Sequence, residues 1–243
     1  MNENILELRL LALWQSYRGT LETPRLNEIL DRGICYSVVN EPHPVLVAGI
    51  NPSFREGDSA RERFLCLFDY RERITGGQDR YFRTINDLFP PEWQSRVAYL
   101  DILNYRETEQ AVANEFVKAT PDAYRSLEFF SANLALNQLF IEQVIRPRLV
   151  IVKNTDSWRF WGKEATPDEN IWMGYRFESL EQLPCGELCR VTGLVEHPDR
   201  VAYRSLLETN LRGTLVLFTR DLTRVSADKR PTPELVARLC QMI

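Results

Sequence analysis

The sequence predicts an α/β fold, a three-layer α/β/α sandwich around a central four-stranded parallel sheet. Three observations predict it. Short apolar runs of strand character alternate with longer stretches of helical pattern along the chain. The first run, Val45-Leu46-Val47-Ala48-Gly49-Ile50, is apolar throughout rather than at alternate positions, as a strand covered on both faces must be. No internal repeat, low-complexity tract or linker divides the 243 residues, of which 44% are hydrophobic, so one large core in one domain is expected.

The elements follow in order. Leu6, Leu8, Leu10, Leu11, Leu13 and Trp14 suggest an amphipathic helix over 4–18, within a helical N-terminal extension of 1–40. Residues 45–50 are the first core strand. Residues 59–73 read as a helix with Phe64, Leu65, Leu67 and Phe68 as its apolar stripe, broken by Gly76-Gly77. A short helix over 81–89 is stopped by Pro90-Pro91. Residues 97–103 form a strand. A long helix over 121–145 starts at Thr120-Pro121, a capping hydroxyl followed by proline at the first helical position. Residues 149–153 are a strand and 155–161 a helical turn. Residues 171–177 suit an edge strand, 188–194 the fourth core strand, 199–211 a helix ending at Gly213, and 233–242 a closing helix.

Composition excludes several classes. A net charge of −4 argues against a general electrostatic grip on nucleic acid, while leaving room for a local basic face. Residues 200–230 hold seven basic side chains, Arg200 and Arg204 among them, against three acidic ones. No stretch reaches the roughly 18–20 apolar residues of a membrane span. The start, Met1-Asn2-Glu3-Asn4, lacks the basic region of a secretion signal. The five scattered cysteines then read as reduced thiols in a cytoplasmic protein. Cys185 and Cys189 are the only close pair and have no further ligands at metal-site spacing. No Gly-x-Ser-x-Gly elbow, phosphate-binding glycine loop or dinucleotide fingerprint is present, which weakens an unrelated hydrolase or transferase reading.

Polar residues stand where the core strands end, the place at which open α/β sheets bind ligands. The first strand gives Asn51 in Gly49-Ile50-Asn51-Pro52-Ser53. Pro52 stiffens this turn and biases Asn51 to an extended backbone. The second gives Asp101 and Asn104, the third Lys153, Asn154 and Thr155, and the fourth Glu196 and His197. His43, the other histidine, precedes a strand and so belongs to the opposite edge.

Gly49-Ile50-Asn51-Pro52-Ser53 resembles the first motif of the uracil-DNA glycosylase superfamily, in the form found in its mismatch-specific and single-strand-selective branches. His197-Pro198 resembles its second motif. The likeness spans residues 45–220. It implies hydrolysis of the N-glycosidic bond of a modified base flipped out of DNA. By this resemblance Asn51 orients the attacking water and His197 stabilises the departing base, as an oxyanion hole does. Pro52 and Ser53 pack under the pocket or touch a phosphate, and Phe64, 13 residues after Asn51, stacks on the base. Gly49 and Ile50 complete the pocket, and Arg200 and Arg204 lie on the DNA side. No cofactor or metal is implied, the partner is DNA rather than a membrane, and a monomer is expected.

The chain also departs from the family. Asp101 stands where the base-reading residue is often Asn, and an ionised carboxylate only accepts hydrogen bonds. Asp101 as reader, Asn104 as reader, and Asp101 as a turn cap are all open. Asp199 replaces the serine of the second motif. These departures keep a second class in play, a catalytically inactive relative that holds a nucleobase, nucleotide or partner protein.

Overall fold

The computed structural model describes residues 3–54, 64–76, 79–118, 120–164, 171–196, 200, 206–220 and 225–243. They form an α/β fold with helices on both faces of a mixed, six-stranded sheet. The strands are β2 (Val45–Gly49), β4 (Val97–Asp101), β5 (Leu149–Val152), β6 (Tyr175–Leu183), β7 (Gly186–Leu194) and β8 (Leu215–Thr219), in the order β4-β2-β5-β8-β7-β6. A separate parallel pair joins β1 (Ile34–Ser37) to β3 (Leu65–Phe68).

Neighbours among β4, β2, β5 and β8 run parallel, whereas β7 is antiparallel to β8 and β6 to β7. The expected all-parallel sheet built on residues 188–194 is thereby corrected. That segment belongs to a hairpin, and the fourth parallel strand is Leu215-Val216-Leu217-Phe218-Thr219. The hairpin turn, with Gly186 at φ 150°, sends β7 back beside β8 from the carboxyl edge towards the amino edge.

Every residue of β2 and β8 is buried, because successive side chains enter opposite layers. On one face Leu46, Ala48, Leu100, Val150, Val152 and Phe218 meet α1 (Glu3–Tyr17), α2 (Pro24–Asp31), α7 (Arg125–Phe140) and α8 (Thr155–Trp161). On the other, Val45, Val47, Tyr99, Ile151 and Leu217 meet α3 (Tyr70–Thr75), α4 (Arg80–Asn86) and α9 (Pro233–Gln241). In α1, Leu6, Leu10 and Trp14 are fully buried at four-residue spacing, and Trp14 packs edge-on against Phe129 with ring centroids 4.8 Å apart.

Local chemistry explains several boundaries. Thr23-Pro24 and Thr232-Pro233 each start a helix, with the threonine hydroxyl accepting from the third residue on. Thr120-Pro121 does not. Thr120 and Ala123 exchange backbone hydrogen bonds, α7 begins at Arg125, and the Ser126 N–H donates to the Glu22 carboxylate at 3.0 Å. The expected helix over 59–73 is replaced, where described, by β3 and then α3, which Asp69 caps by accepting from the Arg71 and Glu72 N–H groups. The part of the expected 199–211 helix that is described, 206–211, is non-helical, and its remainder except Arg200 lies outside the described residues. No helix among the described residues is long and apolar enough to cross a membrane.

Candidate functional site

The carboxyl edge of the parallel strands carries a polar cluster on the α3–α4 face. Asp101 ends β4 in register with Gly49. Tyr99 points to the same face two residues earlier and donates its hydroxyl to Asp101 Oδ1 at 3.1 Å. Lys153, just past β5, reaches across from the other side. Its ammonium is buried, hydrogen-bonds Tyr81 Oη of α4, and lies 5.0 and 5.4 Å from the Tyr81 and Tyr99 ring centroids. Gly49 makes the cluster possible. A Cβ there would fall 1.9 Å from Asp101 Oδ1, 2.7 Å from Tyr99 Oη and 2.9 Å from Lys153 Cε.

Burial sets the electrostatics. Part of Asp101 remains exposed, but its carboxyl group is enclosed by protein, and that desolvation lifts its pKa above the ordinary value. The charge of Lys153 and the Tyr99 hydrogen bond pull the other way and only partly offset it. Desolvation, with the Asp101 charge second, holds the Tyr99 phenol well above its usual range.

Asn51 sits on the loop beyond β2. This loop is laced to the one after β4: Ile102 N–H donates to Gly49, Leu103 N–H to Ile50 and Glu107 N–H to Pro52. The Asn51 amide nitrogen donates to the carbonyls of Glu107 at 2.6 Å and Pro52 at 3.1 Å. Two carbonyl acceptors fix which end of the amide is nitrogen. Oδ1 therefore points the other way, and it is buried without a hydrogen-bond partner among the described residues. Asn154, two residues past the neighbouring strand β5, repeats the pattern. Its nitrogen donates to Gln110 Oε1 at 3.1 Å, and its Oδ1 is buried and unpartnered among the described residues. A buried acceptor without a donor costs about 1–3 kcal/mol. Both follow adjacent parallel strands, where an N–H or O–H donor would satisfy them.

The other expected residues divide. Pro52 and Ser53 lie on the same loop, half-buried and exposed respectively, while Ile50 is buried in the core of the opposite face. Asn104 is a core residue. Its N–H donates to Asn133 Oδ1, its amide nitrogen to the Cys35 carbonyl, and its Oδ1 accepts from Asn133 and Asn137. With every group engaged, it has nothing left with which to read a ligand. Phe64 packs against the α1–α2 side with the Arg18 guanidinium 5.1 Å from its ring. Arg200 is buried, donates to the Leu206 carbonyl at 2.5 Å and packs on Gly174, so the expected DNA contact is corrected to a core role. The basic run does not form one face, since Arg212 precedes β8 and Arg220 follows it. His197, Asp199 and Arg204 lie outside the described residues. β7, which leads to His197, passes the start of β8 at Arg190–Leu215, the edge opposite Asn51.

Sequence reasoning missed Tyr99, Tyr81 and Phe54. Tyr99 was discoverable from its two-residue spacing to Asp101. Tyr81 needs the tertiary packing of α4 to reach Lys153. Phe54 lies with the Arg32 and Arg106 guanidiniums 4.8 and 5.1 Å from its ring, a clamp assembled from three separate segments. Among the described residues no group of three His, Cys, Asp or Glu side chains could hold a metal ion.

Fold and site together define an open α/β protein with buried polar side chains at the carboxyl edge of its parallel strands. No family model, curated protein or solved structure matches the chain.

Proposed function

We propose that the chain is a DNA-base glycosylase-like protein of the uracil-DNA glycosylase superfamily, hydrolysing the N-glycosidic bond of a flipped, modified base. The observation that carries this reading is the buried, unpartnered Oδ1 of Asn51 at the end of the first parallel strand. The β4-β2-β5-β8 order supports it, because Asn51 follows β2, the strand that lies between β4, which ends at Asp101, and β5, which Lys153 follows.

In this reading Asn51 Oδ1 accepts a hydrogen bond from water and aims the water oxygen at the sugar C1′. The C1′–N bond breaks, its electron pair leaves with the base, and the water proton ends on base or solvent. Lys153 is the described cation at this edge suited to balancing the negative charge that develops on the base. Asp101, an acceptor when ionised and a donor when protonated, reads the edge of the base. Asp101 then favours a base that offers an N–H where uracil has O4.

The test is a panel of oligonucleotides bearing uracil, hypoxanthine, xanthine or a thymine mismatch, treated with protein and then alkali. Scission at one modified base, lowered by two to three orders of magnitude in Asn51→Ala, is the expected outcome, the usual effect of losing one oriented polar group. Scission unaffected by Asn51→Ala removes Asn51 from the mechanism.

A second reading is a cleft that binds a nucleobase, nucleotide or partner without catalysis. The net charge of −4 and the acidic Asp101 at the strand edge favour it. Retained oligonucleotide binding with no scission of any substrate selects it.

A further inference from the structure

A second site lies at the amino edge of the sheet. A groove of about 330 Å³ is lined by Arg146, Arg148, Arg190 and Arg212, with Asn210 and Thr214 beside them and Met242 and Ile243 closing its apolar side. The four arginines come from three separate segments, the turn before β5, strand β7 and the turn before β8. No side-chain carboxylate lines the groove.

The guanidiniums are poorly compensated. Arg190 pairs with Glu178 at 3.3 Å, an exposed contact of little strength. Arg148 and Arg212 have no side-chain hydrogen bond or ion pair with a described residue. A fifth arginine, Arg176, extends over Gly193 beside Arg212. Like charges gathered this closely repel, which an anion would relieve.

The backbone beneath them is fixed. Arg148 N–H donates to Pro44 and Leu215 N–H to Arg148, while Gly213 N–H donates to Val191. Thr214 Oγ1 donates to Pro147 and Asn210 Nδ2 to Glu142. Arg146 holds a left-handed backbone, φ 48° and ψ 54°, with its N–H on Ile141 and its Nε on Gln143. That conformation is unfavourable for an L-residue, and the surrounding hydrogen bonds maintain it. The scaffold's bonds are satisfied internally, and the guanidinium ends remain for a ligand.

We propose that this groove binds a compact polyphosphate, a diphosphate or triphosphate group, free or carried on a nucleotide. Guanidinium forks match phosphate oxygens two at a time, and several converging on one anion give both strength and specificity for charge above −2. The volume stands at the small end of ligand sites and suits a phosphate chain rather than an extended backbone. Opposite edges separate it from Asn51, so its occupation does not depend on the glycosylase reading.

Calorimetric titration of the full chain with tripolyphosphate, pyrophosphate, orthophosphate, a nucleoside triphosphate and a single-stranded oligonucleotide tests it, at about 0.15 M salt, where exposed charges are screened beyond roughly 8 Å. Tripolyphosphate is expected to bind at least tenfold more tightly than orthophosphate. Arg148→Ala with Arg212→Ala should weaken it at least tenfold while leaving the unliganded protein no less heat-stable, since both side chains are exposed and unpaired among the described residues. A nucleoside triphosphate that binds more tightly than tripolyphosphate assigns the nucleotide form, and equal binding assigns the phosphate chain alone. Absence of tripolyphosphate binding, binding unaffected by the double substitution, or an oligonucleotide that outcompetes tripolyphosphate overturns the proposal.

Discussion

Asp101 shows how a single residue can carry a pH dependence that its neighbours only moderate. Desolvation by burial at the sheet edge raises its pKa, offset only in part by the Lys153 charge and the Tyr99 hydrogen bond, so the folded chain holds its proton more tightly than the unfolded chain does. Between the ordinary carboxylate value and the raised one, the folded state binds more protons, and stability falls as pH rises through that window. Above the window the ionised carboxyl is a standing cost. Asp101→Asn removes the titration while keeping size and an acceptor. The variant should therefore gain stability relative to the parent at pH 7 and show a smaller gain at pH 3.5, read from urea midpoints at each pH. A difference that does not change with pH would place the carboxyl in open solvent. At this scale much of the site was legible. Asn51, Asp101, Lys153 and Asn154 all stand just past strand-like runs, and strand ends are where open sheets bind ligands. Asn104 has the same sequence signature yet turns into the core, because α7 supplies Asn133 and Asn137 to receive it. No pattern within residues 97–104 discloses that helix.

Those three asparagines tie one element to another. Asn133 and Asn137, one helical turn apart on α7, aim their amides at Asn104 and, for Asn137, at the Ile102 carbonyl as well, locking the helix to the loop beyond β4. Asn104→Ala leaves one buried donor, the Asn133 amide, and one buried acceptor, the Cys35 carbonyl, short of these partners and opens a small void, while Asn137 keeps the Ile102 and Asn133 carbonyls. A loss of about 3 kcal/mol in unfolding free energy is expected, since each stranded group costs about 1–3. Asn104→Ala within about 0.5 kcal/mol of the parent by urea denaturation would show that the network is dispensable. The same scale explains where element reading succeeded. β2, β5, α8 and α9 follow from local apolar patterns and from caps such as Thr232-Pro233. It failed where a distant partner overrides a local signal. Glu22 starts α7 four residues after Pro121, and Phe64-Leu65-Cys66-Leu67-Phe68 has a helical apolar stripe but becomes a strand because Ile34–Ser37 offers it a parallel partner. β8 escaped notice because its five residues are brief and apolar, a length at which periodicity distinguishes nothing.

The whole molecule separates its chemistry by sheet edge. The polar side chains of Asn51, Asp101 and Lys153 stand where the parallel strands end, and the arginine groove lies where β5 and β8 begin. Between them runs the most deeply buried part of the chain. Strands β2 and β5 have hydrogen-bonded neighbours on both sides and are covered on both faces. The β1–β3 pair is different, because it stands outside the large sheet, has only four residues per strand, and keeps Leu67 53% exposed on β3. Although β1 is buried, no residue of β3 is, so lifting β3 away uncovers less than opening β2 from β5, which uncovers both core layers at once. Native-state hydrogen exchange should separate the two. Amides of Val47, Ala48 and Ile151 are expected to exchange only through global unfolding, with rates that track denaturant as the full transition does. Amides within 65–68 should exchange at least about tenfold faster and with weaker denaturant dependence, an opening free energy lower by about 1.4 kcal/mol or more. Equal protection in β3 and β2 would mean that the two sheets unfold as one unit and that the β1–β3 pair is as firmly seated as the strands that carry Asn51 and Lys153.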